Sequence, residues 1–308
     1  MENEAMATSV RIRYFGWSSL SIEAPNGSML FDPFFRTYCG ARWSSLADYT
    51  GADVVCVTHG HEEHFLDTPE IVRRSGATVV ASRSICRFLR RRSGIPDDQL
   101  RSVEFFEPVE IAGFRITTFG WQHRDINLAS ALGRAVFGGN PTQLKWFWTS
   151  ATQAPFYAPY MGFHVELPDG TTILNYNEGL NTKMTDREIQ DLGERFKVDI
   201  LLAGMQLHFT ADVARGVAAL SPRSVILYPP HEKFHEMMGV TSAPWAEFAE
   251  AARHAAPSAK VVVAEPGSVL DFDLAQAGML HPASSSDMNI ALCKAVDRRE
   301  RMPDSTRV

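Results

Sequence analysis

The feature that most restricts this chain is a run of seven residues, Thr58-His59-Gly60-His61-Glu62-Glu63-His64, placed directly behind a strand-like segment. The preceding residues, Asp53-Val54-Val55-Cys56-Val57, are β-branched and apolar on both faces. Such a run predicts a central strand buried on both sides, with the histidines on the loop that leaves it. Loops at strand ends are where α/β architectures present functional groups. Three imidazoles and a carboxylate, from His59, His61, Glu63 and His64, can share a small volume only if something compensates for their mutual desolvation. A divalent cation does so, and mixed imidazole and carboxylate donors suit zinc, manganese or iron. The competing reading is a solvated polar loop at a helix start, and the tight spacing in a strand–loop context weighs against it.

The rest of the chain predicts an α/β protein. Val10 to Phe15 alternates, and Leu20–Glu23 and Ser28–Phe31 flank the turn Pro25-Asn26-Gly27 as a hairpin. A helix is expected over Asp67–Ser75, a strand over Thr78–Ala81, a helix over Ser82–Arg92 and a strand over Phe114–Phe119. The second half repeats the layout. Strands are expected at Gly162–Leu167, Thr171–Tyr176, Asp199–Ala203, Ser224–Tyr228, Lys260–Val263 and Val269–Phe272. Helices are expected at Thr185–Phe196, Ala211–Leu220 and Ala243–Ala255. Strands precede helices in each half, which predicts a layered αββα sandwich. Residues 1–281 are expected to form one domain, and 282–308 a charged C-terminal tail.

Composition narrows the partners. The 308 residues carry a formal net charge of −6, and a nucleic-acid partner held by general electrostatics is not expected. No run approaches the roughly 18 apolar residues of a membrane span. The start of the chain is acidic and polar rather than basic then apolar, so no signal peptide is expected. Cys39, Cys56, Cys86 and Cys293 lack CxxC spacing and read as reduced thiols of a cytoplasmic protein. Neither GxGxxG nor GxxxxGK[ST] occurs, so no nucleotide-phosphate cradle is expected.

The run His59-x-His61-x-Glu63-His64 resembles the HxHxDH signature of the metallo-β-lactamase superfamily. Gly16–Leu20 with Leu30–Phe34 resembles the superfamily's opening strands, and Thr172–Gly179 resembles its strand followed by Gly-Asp-Thr. His208-Phe209-Thr210, Val225–His231 and Glu265-Pro266-Gly267 resemble one branch, that of the ascorbate-6-phosphate lactonase-like proteins and the N-acyl-phosphatidylethanolamine phospholipase D group. The resemblance runs from about residue 10 to 272 and implies the four-layer αββα fold. It also implies a ligand set. His59, His61 and His123 would hold a first metal, Glu63, His64 and His231 a second, and Glu178 would bridge them. Glu63 would also help orient the attacking water. His208 is a further candidate catalytic group, facing substrate or supporting the site; a buried, hydrogen-bonded structural histidine is the alternative. His164, His235, His254 and His281 are read as structural.

Two positions depart from the family pattern. Glu63 and Glu178 stand where aspartates are usual, and each adds one methylene of reach. The register at Glu178 has an alternative in which Leu180-Asn181 takes its place. An aromatic-rich insertion at 124–160 includes Trp146, Phe147, Trp148, Phe156, Tyr157 and Tyr160. It could form a lid over the metals or enlarge the core. Function follows as a metal-dependent hydrolase carrying one or two divalent transition-metal ions, zinc first, with manganese and iron as alternatives. A metal-bound hydroxide would attack an ester, lactone or phosphodiester of a hydrophobic or anionic small molecule. Two other readings stay open: a non-haem iron redox enzyme on the same fold, and a metal-binding protein without catalysis. A homo-oligomer is an open expectation.

Overall fold

The computed structural model describes residues 9–35, 44–125, 133, 136–138, 141–273 and 280–282. Expectations for Cys39, Cys293, residues 126–132 of the insertion and the tail beyond Pro282 lie outside the described residues.

Period-two alternation builds the first sheet. In β1 (Ser9–Gly16), Val10, Ile12 and Tyr14 are buried while Arg11 and Arg13 are less so. β1 pairs antiparallel with β2 (Ser19–Ala24), and β2 forms the expected hairpin with β3 (Gly27–Phe31). From β3 the sheet continues in parallel through β4 (Val54–Cys56), β5 (Thr78–Ala81) and β6 (Leu100–Ser102). The crossovers carry α1 (Glu62–Phe65) and α2 (Thr68–Ser75) after β4, and α3 (Arg83–Phe88) after β5. Ser82 caps α3 by accepting a hydrogen bond from the Ile85 amide. The expected helix over 82–92 ends at Phe88, and a wider π turn follows at Leu89–Ser93.

The second sheet opens with β7 (Val109–Ile111), β8 (Phe114–Gly120), β9 (Met161–Glu166) and β10 (Thr172–Asn177), all antiparallel. It then runs parallel through β11 (Ile200–Gly204), β12 (Ser224–Tyr228) and β13 (Lys260–Val263). Between β8 and β9 lies α4 (Pro141–Gln153). The parallel crossovers carry α5 (Asp186–Arg195), α6 (Thr210–Leu220), α7 (Glu232–Met238) and α8 (Trp245–Ala255). Thr185 and Glu188 close α5 with a reciprocal capping box. The chain then returns to the first sheet, where β14 (Val269–Asp273) pairs with β1 and β15 (Leu280–Pro282) pairs with β14.

Two mixed sheets, of eight and seven strands, thus face each other with helices on their outer sides. Ile12, Ile22, Phe31, Val54 and Cys56 of the first sheet meet Ile116, Phe163, Ile173, Leu202 and Ile226 of the second in one apolar layer. Alternation in β4 sends Val55 and Val57 the other way, onto Ile71, Val72 and Ile85 of the outer helices. Full burial of such side chains contributes about 1.5–3 kcal/mol each. The αββα expectation is met. The short elements β6, β7, β15, α1 and α7 carried too little periodicity to be expected, and the 13-residue α4 lies in the insertion, where no helix was expected.

Residues at the ends of five strands, and just beyond them, gather at one edge of the sandwich. Asp32 follows β3, residues 58–64 follow β4, His123 follows β8, Asn177 and Glu178 close β10, and His231 follows β12.

Candidate metal centre

His59, His61, His123 and Glu178 form one group of donor atoms, and Glu63, His64 and His231 form a second; within each, the atoms lie within 4.8 Å of one another. Glu178 faces both. Its Oε1 is 3.2 Å from His59 Nε2, 3.2 Å from His123 Nε2 and 3.8 Å from His64 Nε2. Its Oε2 is 2.7 Å from His231 Nε2. His231 Nδ1 in turn lies 4.0 Å from Glu63 Oε1. The alternative register is set aside by position: Asn181 turns back, donating to the carbonyls of Gln122 and Glu178.

The imidazoles are aimed by what holds their far nitrogens. Asp32 is the hub of this support. Its Oδ1 accepts from the Thr58 amide at 2.7 Å. Its Oδ2 accepts from Thr58 Oγ1 at 2.6 Å, Asn177 Nδ2 at 2.7 Å and His64 Nδ1 at 2.8 Å. Because the Thr58 hydroxyl donates to Asp32, it accepts from His59 Nδ1, 2.9 Å away. His123 Nδ1 donates to the Arg124 carbonyl at 2.7 Å. In His59, His64 and His123 the Nδ1 proton is therefore tied back and the Nε2 lone pair faces the centre, the tautomer a metal ligand needs. Asp32 and Asn177 reach one another from left-handed backbone, at φ 42° and 52°. Aspartate and asparagine tolerate that region better than most residues.

The buried polar atoms without a hydrogen-bond partner test whether a cation fits. They include His59 Nε2, His64 Nε2, Glu63 Oε2, Glu178 Oε1 and His231 Nδ1. Buried polar atoms are normally satisfied. Here five orphans belong to the two donor groups, and lone pairs facing lone pairs repel unless a cation or proton lies between them. The donor set fits a pair of divalent ions.

The field of the site agrees. Burial, followed by the neighbouring histidines, pushes His59 and His61 well below the usual imidazole range. Burial opposes charge on Glu178, yet His231 and His123 outweigh it and hold the carboxylate well below its ordinary value. Burial likewise opposes charge on His64, but the Asp32 carboxylate outweighs it and moves the imidazole up to about 9.

The insertion contributes to both core and site. Trp146 packs with Trp17, Phe34, Phe234 and Met238, while Trp148 and Tyr157 are exposed. Phe156 stacks on His61 with centroids 4.6 Å apart, and Tyr160 Oη lies 3.4 Å from His61 Nε2. Close approach needs glycine at position 60: a Cβ there would lie 1.9 Å from the Pro155 carbonyl oxygen. Next to the candidate donors, Glu62 is buried and accepts from Ser150 Oγ at 2.9 Å. Desolvation, then the charge of Glu63, raises its carboxyl to about 8.

His208 stands apart from both donor groups. It is exposed, with Nε2 3.4 Å from Thr241 Oγ1. The chain turns through Leu207 at φ 46°, and the inward place falls to Gln206, whose Nε2 donates to Glu178 Oε2 at 2.6 Å. Sequence reasoning missed Gln206, and also Asp32, Thr58 and Asn177 as supports. Among the histidines read as structural, His164 fits: it donates to the Lys197 carbonyl and stacks on Phe196.

Comparisons with known proteins bear on this arrangement. The family model described as "Beta-lactamase superfamily domain" matches residues 11–227. A UPF0173 metal-dependent hydrolase of Methanopyrus kandleri is 25% identical over 267 residues, covering 84% of this chain and 98% of that protein. Igni18, a metallo hydrolase from the archaeon Ignicoccus hospitalis, superposes with a TM-score of 0.63 at 21% identity, covering 86% of this chain and 98% of that one. CmlA, a diiron β-hydroxylase from Streptomyces venezuelae, superposes at 0.55 with 15% identity, over 86% of this chain and 54% of that one.

Proposed function

This chain belongs to the β-lactamase superfamily, and from that premise we propose that it is a metal-dependent hydrolase with a dinuclear centre. His59, His61 and His123 would hold one ion, Glu63, His64 and His231 the other, and Glu178 stands where it could serve both. The observation that carries this reading is the division of the Glu178 carboxylate, with Oε1 among the first group's imidazoles and Oε2 on His231. Relatives over nearly their whole length carry the name metal-dependent hydrolase.

Bound ions would supply Lewis-acid polarisation of the scissile group and a water acidified toward neutral pH. The chain's own residues do the rest. Asp32 and Thr58 fix the rings of His64 and His59. Glu63 would bind metal through one carboxylate oxygen and orient water with the other. Phe156 and Tyr160 wall the first group and exclude bulk water from that side. The substrate class is an ester, lactone or phosphodiester, and zinc is the first-choice metal.

The test is turnover of an aryl ester, a lactone and a phosphodiester by protein loaded separately with zinc, manganese and iron. Metal-dependent hydrolysis that His61→Ala abolishes supports the reading. No turnover with any metal, and a His61→Ala variant altered only in thermal stability, would leave a metal-binding protein without catalysis. The two glutamate donors and the likeness to a diiron β-hydroxylase also favour one second reading, an iron redox enzyme. Two irons per chain with an oxo-type absorption band, and no hydrolysis, would select it.

A further inference from the structure

Arg124 follows the ligand His123 directly, and its carbonyl is the acceptor that orients that ring. Its guanidinium turns toward the same centre. Nε donates to Gln206 Oε1 at 3.1 Å, and the other end of that amide donates to Glu178 Oε2 at 2.6 Å. An arginine only donates and a carboxylate only accepts, so the amide has one workable orientation. One amide therefore separates the guanidinium from the bridging carboxylate. Nη2 lies 3.5 Å from His235 Nε2. Facing an obligate donor, that nitrogen presents its lone pair, and His235 uses Nδ1 toward Ser242 Oγ at 3.0 Å.

Both partners of Arg124 are thus neutral. Among the described residues no carboxylate lies within ion-pair distance of it, and Nη1 has no partner. Other partly buried arginines are treated differently: Arg13 is paired with Asp48, and Arg215 with Asp186 and Asp212. A largely desolvated cation without a counter-ion is costly and calls for an anion. With ions bound between them, Glu63 and Glu178 would not be free to serve, and the centre would carry net positive charge beside the guanidinium.

We propose that Arg124 is a substrate-anchoring residue and that the molecule hydrolysed carries an oxyanion, carboxylate or phosphate, beside its scissile bond. The planar fork suits two-point contact with such a group. Gln206 and His235 hold it in place. The inference rests on the dinuclear reading, because without bound ions Glu178 and Glu63 would supply the counter-charge; only the word substrate rests on hydrolysis.

The test uses zinc-loaded wild type, Arg124→Ala and Arg124→Lys, with metal content measured on each. Inorganic phosphate is titrated by calorimetry. Its affinity should fall about 10–100-fold in Arg124→Ala and less in Arg124→Lys, the size of one lost charge-assisted contact. Turnover is then compared on p-nitrophenyl acetate, the mono-p-nitrophenyl ester of succinate and the p-nitrophenyl ester of phosphonoacetate. The kcat/KM ratio of an anionic to the neutral ester should drop by a similar factor in Arg124→Ala, and the ester whose ratio drops more shows which oxyanion is read. If zinc-loaded wild type cleaves none of the three, the phosphate titration alone decides the anion site. Should Arg124→Ala shed metal, Arg124→Lys decides by the same two readouts. Unchanged phosphate affinity at unchanged metal content, with equal losses on neutral and anionic esters, would overturn the proposal.

Discussion

Replacing Asp32 with asparagine removes one charge and almost no volume, so its effect isolates what the carboxylate does. Asp32 accepts four hydrogen bonds, from the Thr58 amide, Thr58 Oγ1, Asn177 Nδ2 and His64 Nδ1. Either orientation of an asparagine amide sets its NH2 against an obligate donor, the Thr58 N–H on one side or Asn177 Nδ2 on the other. One buried donor is left unsatisfied, worth about 1–3 kcal/mol, and the charge-assisted bond to His64 is lost, worth about 1.5–3 kcal/mol. Together these put the apoprotein about 3–5 kcal/mol below wild type, the range found when one partner of a buried pair is removed. The metal centre should respond unevenly. Without Asp32 to hold the Nδ1 proton, His64 is free to place a proton on Nε2, the atom that faces the second group. Loss of such a supporting contact typically costs about 10–100-fold in metal affinity. Urea denaturation of the apoprotein gives the first quantity, and competitive metal titration gives the second. The His64 group should weaken and the three-histidine group should hold. An Asp32→Asn apoprotein within about 1 kcal/mol of wild type, with both affinities unchanged, would refute this account of the hub.

His235 supplies a pH signature. Burial, then the charges of His231 and Arg124, lowers it to about 3, against about 6.5 in an unfolded chain. As pH falls below about 6.5 the unfolded chain takes a proton that the folded one refuses, so stability falls by about 1.4 kcal/mol per pH unit from this group. His235→Gln should flatten the denaturation profile between pH 6.5 and 5 by that slope (pH values about those of the unfolded histidine), and parallel profiles would contradict the assignment. Gly60→Ala places a methyl group against the Pro155 carbonyl and should destabilise the protein by about 1–3 kcal/mol or more, as overpacking does. Wild-type stability in that variant would mean that the 155–158 segment does not press on the ligand loop. Chelation at neutral pH should lower the melting temperature of wild type, because a ligand bound only to the folded state adds stability by mass action. Glu178→Gln, deprived of the bridge, should show a smaller chelator effect.

Strand and helix positions were legible because both sheets alternate and the parallel strands are short β-branched runs. The candidate donors were legible because metal chemistry restricts donor types, so His59, His61, Glu63 and His64 are conspicuous together, and the structure brings His123, Glu178 and His231 beside them. The supports were not. Asp32 is 26 residues upstream of Thr58 and just past the end of another strand, and nothing local distinguishes it from any aspartate before a proline. Its role depends on left-handed backbone at Asp32 and Asn177, which sequence pattern does not encode for non-glycine residues. The choice between Gln206 and His208 likewise turned on one dihedral at Leu207. Histidine is the more suggestive residue type, and the fold points glutamine inward instead. Arg124 drew no notice because a single arginine after a loop histidine is unremarkable until it is seen to have no carboxylate partner among the described residues.

The central claim is that Glu178 joins two metal sites, and counting ions tests it most directly. Metal analysis of zinc-saturated protein, paired with titration of His231→Ala, separates the two groups. The account predicts two ions per wild-type chain, one in His231→Ala, and retention of the ion held by His59, His61 and His123. A single ion in saturated wild type, or an unchanged count in His231→Ala, would contradict it.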